Sequence, residues 1–186
     1  VGHWDRSAYL GRDLSGMTIG LIGYGRLGKI VADYARAFRM NVLVHDIKDL
    51  SGAEIESVSL EALLNQSDVI SLHVALNEGS LGLLGREQIE QIKHGAYLVN
   101  TSRGELVNEV ALLDALKSGR VAGAALDVLC DEVGTAAKQG GAMIEYAAAN
   151  ENLIITPHMG GATHDSMWKT EIFMAKKLKL FMELEC

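Results

Sequence analysis

The stretch "MTIGLIGYGRLGKIVADYARAFRMNVLVHD" (residues 17–46) decides the fold. An apolar run from Met17 ends in a turn built on Gly23, Gly25 and Gly28, and a second apolar run spans Asn41 to Asp46. Between them Leu27, Ile30, Val31, Tyr34, Ala35 and Phe38 recur at i, i+3, i+4, i+7, i+8 and i+11, the stripe of an amphipathic helix. Strand, glycine turn, helix and strand follow one another as a βαβ unit.

The pattern continues outward. Residues 68–74, 96–100, 121–128 and 152–156 also read as strands, apolar throughout rather than alternating, as expected of strands covered on both faces. Asn108 is placed to cap a helix running through Val110, Leu113 and Leu116 and stopping at Gly119. Trp168, Ile172, Ala175, Leu178 and Met182 predict a final helix over residues 164–186, with Lys169, Lys176 and Lys179 on its other side. Parallel neighbours need crossover connections, so the alternation predicts an α/β domain with a doubly wound parallel sheet. Residues 1–16, with Trp4 and Tyr9, read as a linker-like lead-in to this single domain, and the Ala/Gly-rich residues 134–150 as a variable connection holding one short helix.

The totals narrow the function classes. The 186 residues are 48% hydrophobic and 22% charged, a soluble composition, and no apolar run approaches the roughly 20 residues of a membrane span. A formal charge of -7 argues against nucleic acid as the partner. Cys130 and Cys186 have no metal-type spacing and are too few for a disulfide framework, which fits a reducing cytoplasm and implies no metal.

In the glycine turn, Gly23 permits the bend, Gly25 lets backbone approach a pyrophosphate, and Gly28 lets helix and strand pack closely. Arg26 and Leu27 open the helix, whose N-terminus offers N–H groups and partial positive charge to phosphates. Asp46 ends the second strand, placed to bind both ribose hydroxyls and to repel a 2′-phosphate. The expected cofactor is therefore NAD rather than NADP.

Hydride chemistry also needs a proton carrier and a substrate anchor. "LVNTSRG" (98–104) leaves Arg103 just past a strand, "DVLCDE" (127–132) carries Asp127 and Glu132, and "TPHMGGAT" (156–163) carries His158 and Gly160. Ligands of open α/β sheets bind outside the carboxyl ends of the strands, so these loops are expected to open onto one crevice. His158 is of a residue type suited to proton transfer to a carbonyl oxygen, Glu132 would orient its ring, and the planar fork of Arg103 suits a carboxylate. His73 reads as a structural histidine, and His3, His45, His94 and His164 as surface or capping residues.

Together "GYGRLG", Asp46, "SLHVALNEGSLGLLG", "LVNTSRGELVNEVALLDALKSG", "VAGAALDV" and "NLIITPHMGGAT" resemble the nucleotide-binding domain of the D-isomer-specific 2-hydroxyacid dehydrogenases, the family of D-3-phosphoglycerate dehydrogenase. The resemblance implies a Rossmann-type fold and NAD-linked interconversion of 2-keto acids and D-2-hydroxy acids. By motif position it makes Arg103, Glu132 and His158 catalytic and sets Asp127 against the nicotinamide carboxamide. Thr101, Ser102 and Gly160 join the cofactor-binding set, with Gly23, Gly25, Arg26, Leu27, Gly28 and Asp46. It further implies a cytoplasmic homodimer acting on a small 2-hydroxy or 2-keto acid, with a separate substrate domain that lies outside these 186 residues; the chain alone should bind cofactor without turnover.

The sequence also departs from the family pattern. Ala75 and Asn77 stand where the family has a proline and a threonine, Val133 replaces another proline, and Pro157 is the single proline in the chain. These changes predict looser loops around the cleft. An NAD-sensing module related to transcriptional corepressors is the alternative function, and the NAD domain of an adenosylhomocysteine hydrolase-like enzyme shares the glycine turn alone.

Overall fold

The structure is a computed structural model and describes residues 10–52, 54–130, 132 and 141–184. The sequence's two-run opening forms β1 (Thr18–Ile22), α1 (Arg26–Ala37) and β2 (Asn41–His45), and a two-residue strand β3 (Glu56–Ser57) follows. Then come α2 (Leu60–Gln66), β4 (Val69–Leu72), α3 (Arg86–Gln91), β5 (Ala96–Asn100), a 3-10 turn (Gly104–Leu106), α4 (Glu109–Lys117), β6 (Val121–Leu126), α5 (Ala142–Ala149), β7 (Leu153–Ile155) and α6 (His164–Leu184).

All seven strands pair in parallel in the order β3-β2-β1-β4-β5-β6-β7. The chain winds outward from β1 to β3, crosses back through α2 and winds the other way through β4 to β7. The carboxyl ends of β1 and β4 flank that reversal, where an open α/β sheet places its ligand.

The helices start where side chains can close their free amides. Ser59 accepts the Ala62 N–H at 3.1 Å, and Asn108 accepts the Ala111 N–H at 2.9 Å, the cap expected from sequence. One buried cluster joins Leu63, Leu64, Ile70, Leu98, Leu112 and Val121 between α2, α3, α4 and the sheet. A smaller one, with Ile19, Leu21, Ala32, Ala35 and Val44, lies under α1.

Two sequence expectations are corrected here. The helix α1 forms as predicted, but the large residues of its stripe face outward: Leu27, Ile30, Tyr34 and Phe38 are exposed, and Gly28, Ala32 and Ala35 are its buried positions. Small residues let the helix axis approach the sheet. The strands are also not covered evenly, since Tyr97 of β5 and Ile154 of β7 are exposed.

Helix α6 exposes Trp168, Phe173, Met174, Leu178, Phe181 and Met182 along its length, and Ile172 is half-buried. The short helix predicted in residues 134–150 is α5. Residues 134–140, Val133, Cys186 and the lead-in through Tyr9 lie outside the described residues. Among the described residues no helix is long and apolar enough to cross a membrane.

Candidate cofactor and proton-transfer site

At the end of β1 the chain turns through Gly23 with φ +99°, a conformation that costs a side chain dearly. A β-carbon there would stand 2.7 Å from the carbonyl oxygen of His73, and one on Gly28 would stand 2.1 Å from the carbonyl oxygen of Gly23. Gly25 differs: a β-carbon on it would meet nothing within 4 Å. The first and third glycines are therefore demanded by packing, and the second borders open space.

Gly25 also contributes no side-chain cap to α1. Lys29 N–H reaches the Gly25 carbonyl at 3.0 Å, leaving the amides of Arg26, Leu27 and Gly28 as the unpaired first-turn donors of a helix. Both Arg26 and Leu27 are exposed. Such a terminus is built to take an anion.

Asp46 follows β2 and is fixed by the turn itself. Its Oδ2 accepts the Tyr24 N–H at 2.6 Å and its Oδ1 the Lys48 N–H at 2.9 Å. Burial pushes this carboxyl up, but the two amides and the Lys48 and His45 charges outweigh burial and hold it below the ordinary aspartate range. An ionised carboxylate thus stands one strand from the anion-binding terminus. This donor and acceptor set fits NAD: amides for the diphosphate, open space over Gly25, and a fixed acceptor for ribose hydroxyls.

From the glycine turn the carboxyl edge of the sheet is joined residue to residue. Gly23 N–H donates to the His45 carbonyl at 2.8 Å and His73 N–H to the Ile22 carbonyl at 2.7 Å. The His73 ring is tied through Nε2 to Ser71 Oγ at 3.0 Å, and burial pushes its pKa down, which agrees with a structural histidine. Ser102 Oγ donates to the Leu72 carbonyl at 2.8 Å, holding the turn after β5 against the end of β4.

That turn is built by Asn100, almost fully buried. Its Oδ1 accepts the Ser102 N–H at 3.0 Å and its Nδ2 donates to the Arg103 carbonyl at 2.8 Å. Thr101 is exposed. The Arg103 side chain is exposed as well, with Nη1 donating to the Ser102 carbonyl at 2.5 Å, so the rest of its guanidinium fork is available to a ligand.

Asp127 follows β6, and its N–H donates to the Asn100 carbonyl at 2.9 Å. Its side chain is buried and engaged: Oδ1 accepts Thr156 Oγ1–H at 2.5 Å and Met159 N–H at 2.9 Å, and Oδ2 accepts Gly160 N–H at 2.9 Å. Burial raises the carboxyl's pKa, but these three bonds and the His158 charge more than compensate and leave it lowered. His158 takes a left-handed backbone with φ +50° and points Nδ1 at Glu132 Oε1. Glu132 Oε2 in turn accepts the Leu129 N–H at 3.4 Å. A cleft of about 1060 Å³ lined by Asp127, Glu132, Ile144, Thr156, Pro157 and His158 opens beside the pair.

Residues 1–160 match the family described as "D-isomer specific 2-hydroxyacid dehydrogenase, NAD binding domain". The chain belongs to this family. It is 42% identical over 172 residues to a glycerate dehydrogenase of Methylorubrum extorquens, covering 89% of this chain and 52% of that one. Against a hydroxypyruvate reductase of Thermotoga maritima it is 36% identical over 184 residues, covering 98% and 58%. The solved D-lactate dehydrogenase of Aquifex aeolicus, complexed with NAD and lactic acid, superposes with a TM-score of 0.83 at 37% identity, covering 96% of this chain and 57% of that one. The chain spans about half the length of the curated relatives it matches. As an NAD-binding domain of this family it has the Rossmann-type fold that the resemblance implied.

The structure brings Glu132 and His158 into contact and sets Arg103 on the neighbouring loop, bonded to neither. Sequence reasoning passed over Thr156 and Gly104. A β-carbon on Gly104 would lie 2.1 Å from the Leu129 carbonyl carbon, so this glycine seats the Arg103 turn against the loop that carries Glu132. Its adjacency to Arg103 in "NTSRG" was the available signal. The loop expected to loosen through Ala75 and Asn77 is instead closed: Asn77 Oδ1 accepts the Gly79 and Ser80 amides at 2.9 and 3.1 Å, and Ser80 Oγ donates to the Ala75 carbonyl at 2.8 Å. Asparagine turns make such bonds locally, without proline.

Proposed function

We propose that this chain is the cofactor-binding half of an NAD-linked oxidoreductase that interconverts 2-keto acids and D-2-hydroxy acids. The observation that carries the reading is the His158–Glu132 contact at the carboxyl edge of the same sheet whose other loops form the dinucleotide site. Bound NAD supplies the hydride acceptor and donor. His158 carries the proton to or from the substrate oxygen through Nε2, because Nδ1 is occupied by Glu132. Glu132 orients the ring, and Arg103 holds the substrate carboxylate through its outward donors.

Glycerate, hydroxypyruvate, glyoxylate and phosphoglycerate are the substrates in the names of the relatives. Small 2-hydroxy and 2-keto acids of that kind are the proposed substrate class here. The proposed setting is a cytoplasmic homodimer in which residues 1–186 form one domain. Substrate positioning needs surfaces beyond this half, so the 186 residues alone are expected to bind NAD without turnover.

The test has two parts. Titration of the chain with NAD should show saturable binding. Absorbance assay of the catalytically competent enzyme with a panel of D-2-hydroxy acids should show NADH formation. Binding without turnover on any member of the panel would replace the dehydrogenase reading with a sensor.

A further inference from the structure

We propose that Thr156 is a positioning residue for His158, fixing the proton carrier through the carboxylate of Asp127. The inference rests on the reading of His158 as the proton carrier, and it gives a role to a residue outside the cofactor and catalytic sets.

His158 is held in a left-handed backbone that residues with a β-carbon avoid, at φ +50°. Such a conformation persists where its surroundings over-determine it. Here one carboxylate does so from both sides. Asp127 Oδ1 receives Thr156 Oγ1–H, two residues before His158, and Met159 N–H, one residue after; Oδ2 receives Gly160 N–H. The His158 N–H closes the turn by donating to the Asp127 carbonyl at 2.8 Å and the Thr156 carbonyl at 3.0 Å.

Of the three bonds to the carboxylate, two come from main-chain amides that substitution leaves in place. The third is the Thr156 hydroxyl. Its aim is set by the sheet, because Thr156 N–H continues the β6–β7 ladder onto the Leu126 carbonyl at 2.9 Å. The hydroxyl therefore stops the Asp127 carboxylate from turning about its own side chain. With the hydroxyl removed, Oδ1 keeps a single donor, the Met159 and Gly160 amides lose their fixed acceptor, and the turn relaxes. The imidazole then swings away from Glu132.

The experiment compares Thr156→Val, which keeps the shape and removes the donor, with Thr156→Ser, which keeps the donor. In the 186-residue chain, proton NMR at low temperature should show the His158 Nδ1–H resonance, shifted by its bond to Glu132, in the parent and in Thr156→Ser. It should be missing in Thr156→Val. In the catalytically competent enzyme, kcat of Thr156→Val should fall roughly tenfold or more and kcat of Thr156→Ser should stay near the parent's, since the reacting groups are misplaced only where the hydroxyl is lost. Should Thr156→Val fail to fold, Thr156→Ala is read the same way. A valine or alanine variant that keeps the resonance and its kcat overturns the proposal. If His158→Asn leaves turnover intact, the catalytic reading of His158 fails, whereas the resonance in Thr156→Val still decides the positioning claim.

Discussion

Gly104 lies against the backbone of Leu129, and a β-carbon on it would fall 2.1 Å from the Leu129 carbonyl carbon and 2.3 Å from the Cys130 nitrogen. The loop that presents Arg103 is thus packed main chain to main chain on the loop that presents Glu132. Gly104→Ala forces the two apart, an overpacking that costs about 1–3 kcal/mol. The urea midpoint of the variant should fall accordingly, and kcat of the competent enzyme should fall with it. A midpoint equal to the parent's would show that the loops separate freely.

Asp46, the proposed ribose acceptor, is fixed by two amides of its own neighbourhood. Asp46→Ser removes the charge that repels a 2′-phosphate and weakens the ribose acceptor. The preference for NAD over NADP should narrow by roughly tenfold or more, the equivalent of about 1.4 kcal/mol. Paired titrations with the two cofactors measure the ratio, and an unchanged ratio would remove Asp46 from cofactor selection.

Acid should lower the stability of this protein over two pH ranges. For His73 the depressed pKa means that the unfolded chain binds a proton first, so stability declines as pH falls below the ordinary histidine value of about 6.5. Asp68 is half-buried, which raises its carboxyl, but the Lys93 ammonium at 2.7 Å and the Thr18 amide at 2.8 Å lower it overall. Asp46 and Asp127 are lowered too. Their stabilisation is fully present above about pH 3.9 and is lost as pH falls through their folded values. Urea midpoints measured from pH 8 to pH 3 should show both declines. His73→Gln should flatten the upper one, and Asp68→Asn should reduce the lower.

In the catalytically competent enzyme, His158→Ala removes the proposed proton carrier and should lower kcat by about 10² to 10⁴. NAD affinity of the 186-residue chain should change little, because the glycine turn and Asp46 lie at the far end of the site. A near-normal rate would move the proton-transfer role elsewhere.

Much of this was legible in the amino acids, for reasons that differ by residue. The inner strands are unbroken apolar runs, and a parallel sheet buried on both faces produces such runs. Asn108 sits just before a helical pattern, and its cap is where local chemistry puts it. Strand β3 was invisible because Glu56 and Ser57 are exposed edge residues with no apolar period. The outward turn of the α1 stripe was invisible too: the decisive contact there is Gly28 beneath Gly23, and a glycine contributes nothing to an apolar count. The convergence of Arg103, Glu132 and His158 on one edge followed from topology. The bond of Thr156 to Asp127 was not legible, since a threonine before a proline has no distinctive spacing.

The carboxyl edge is joined largely by main-chain bonds, Gly23 to His45, His73 to Ile22, Asp127 to Asn100 and His158 to Asp127. The separation between the proposed ribose site and the proposed proton carrier is therefore a count of strands. Asp46 follows β2 and His158 follows β7, five steps apart in the sheet, or roughly 24 Å at about 4.8 Å per step. The sheet acts as a ruler whose graduations are hydrogen-bonded backbones, and residues on the outer helices can change without altering its scale.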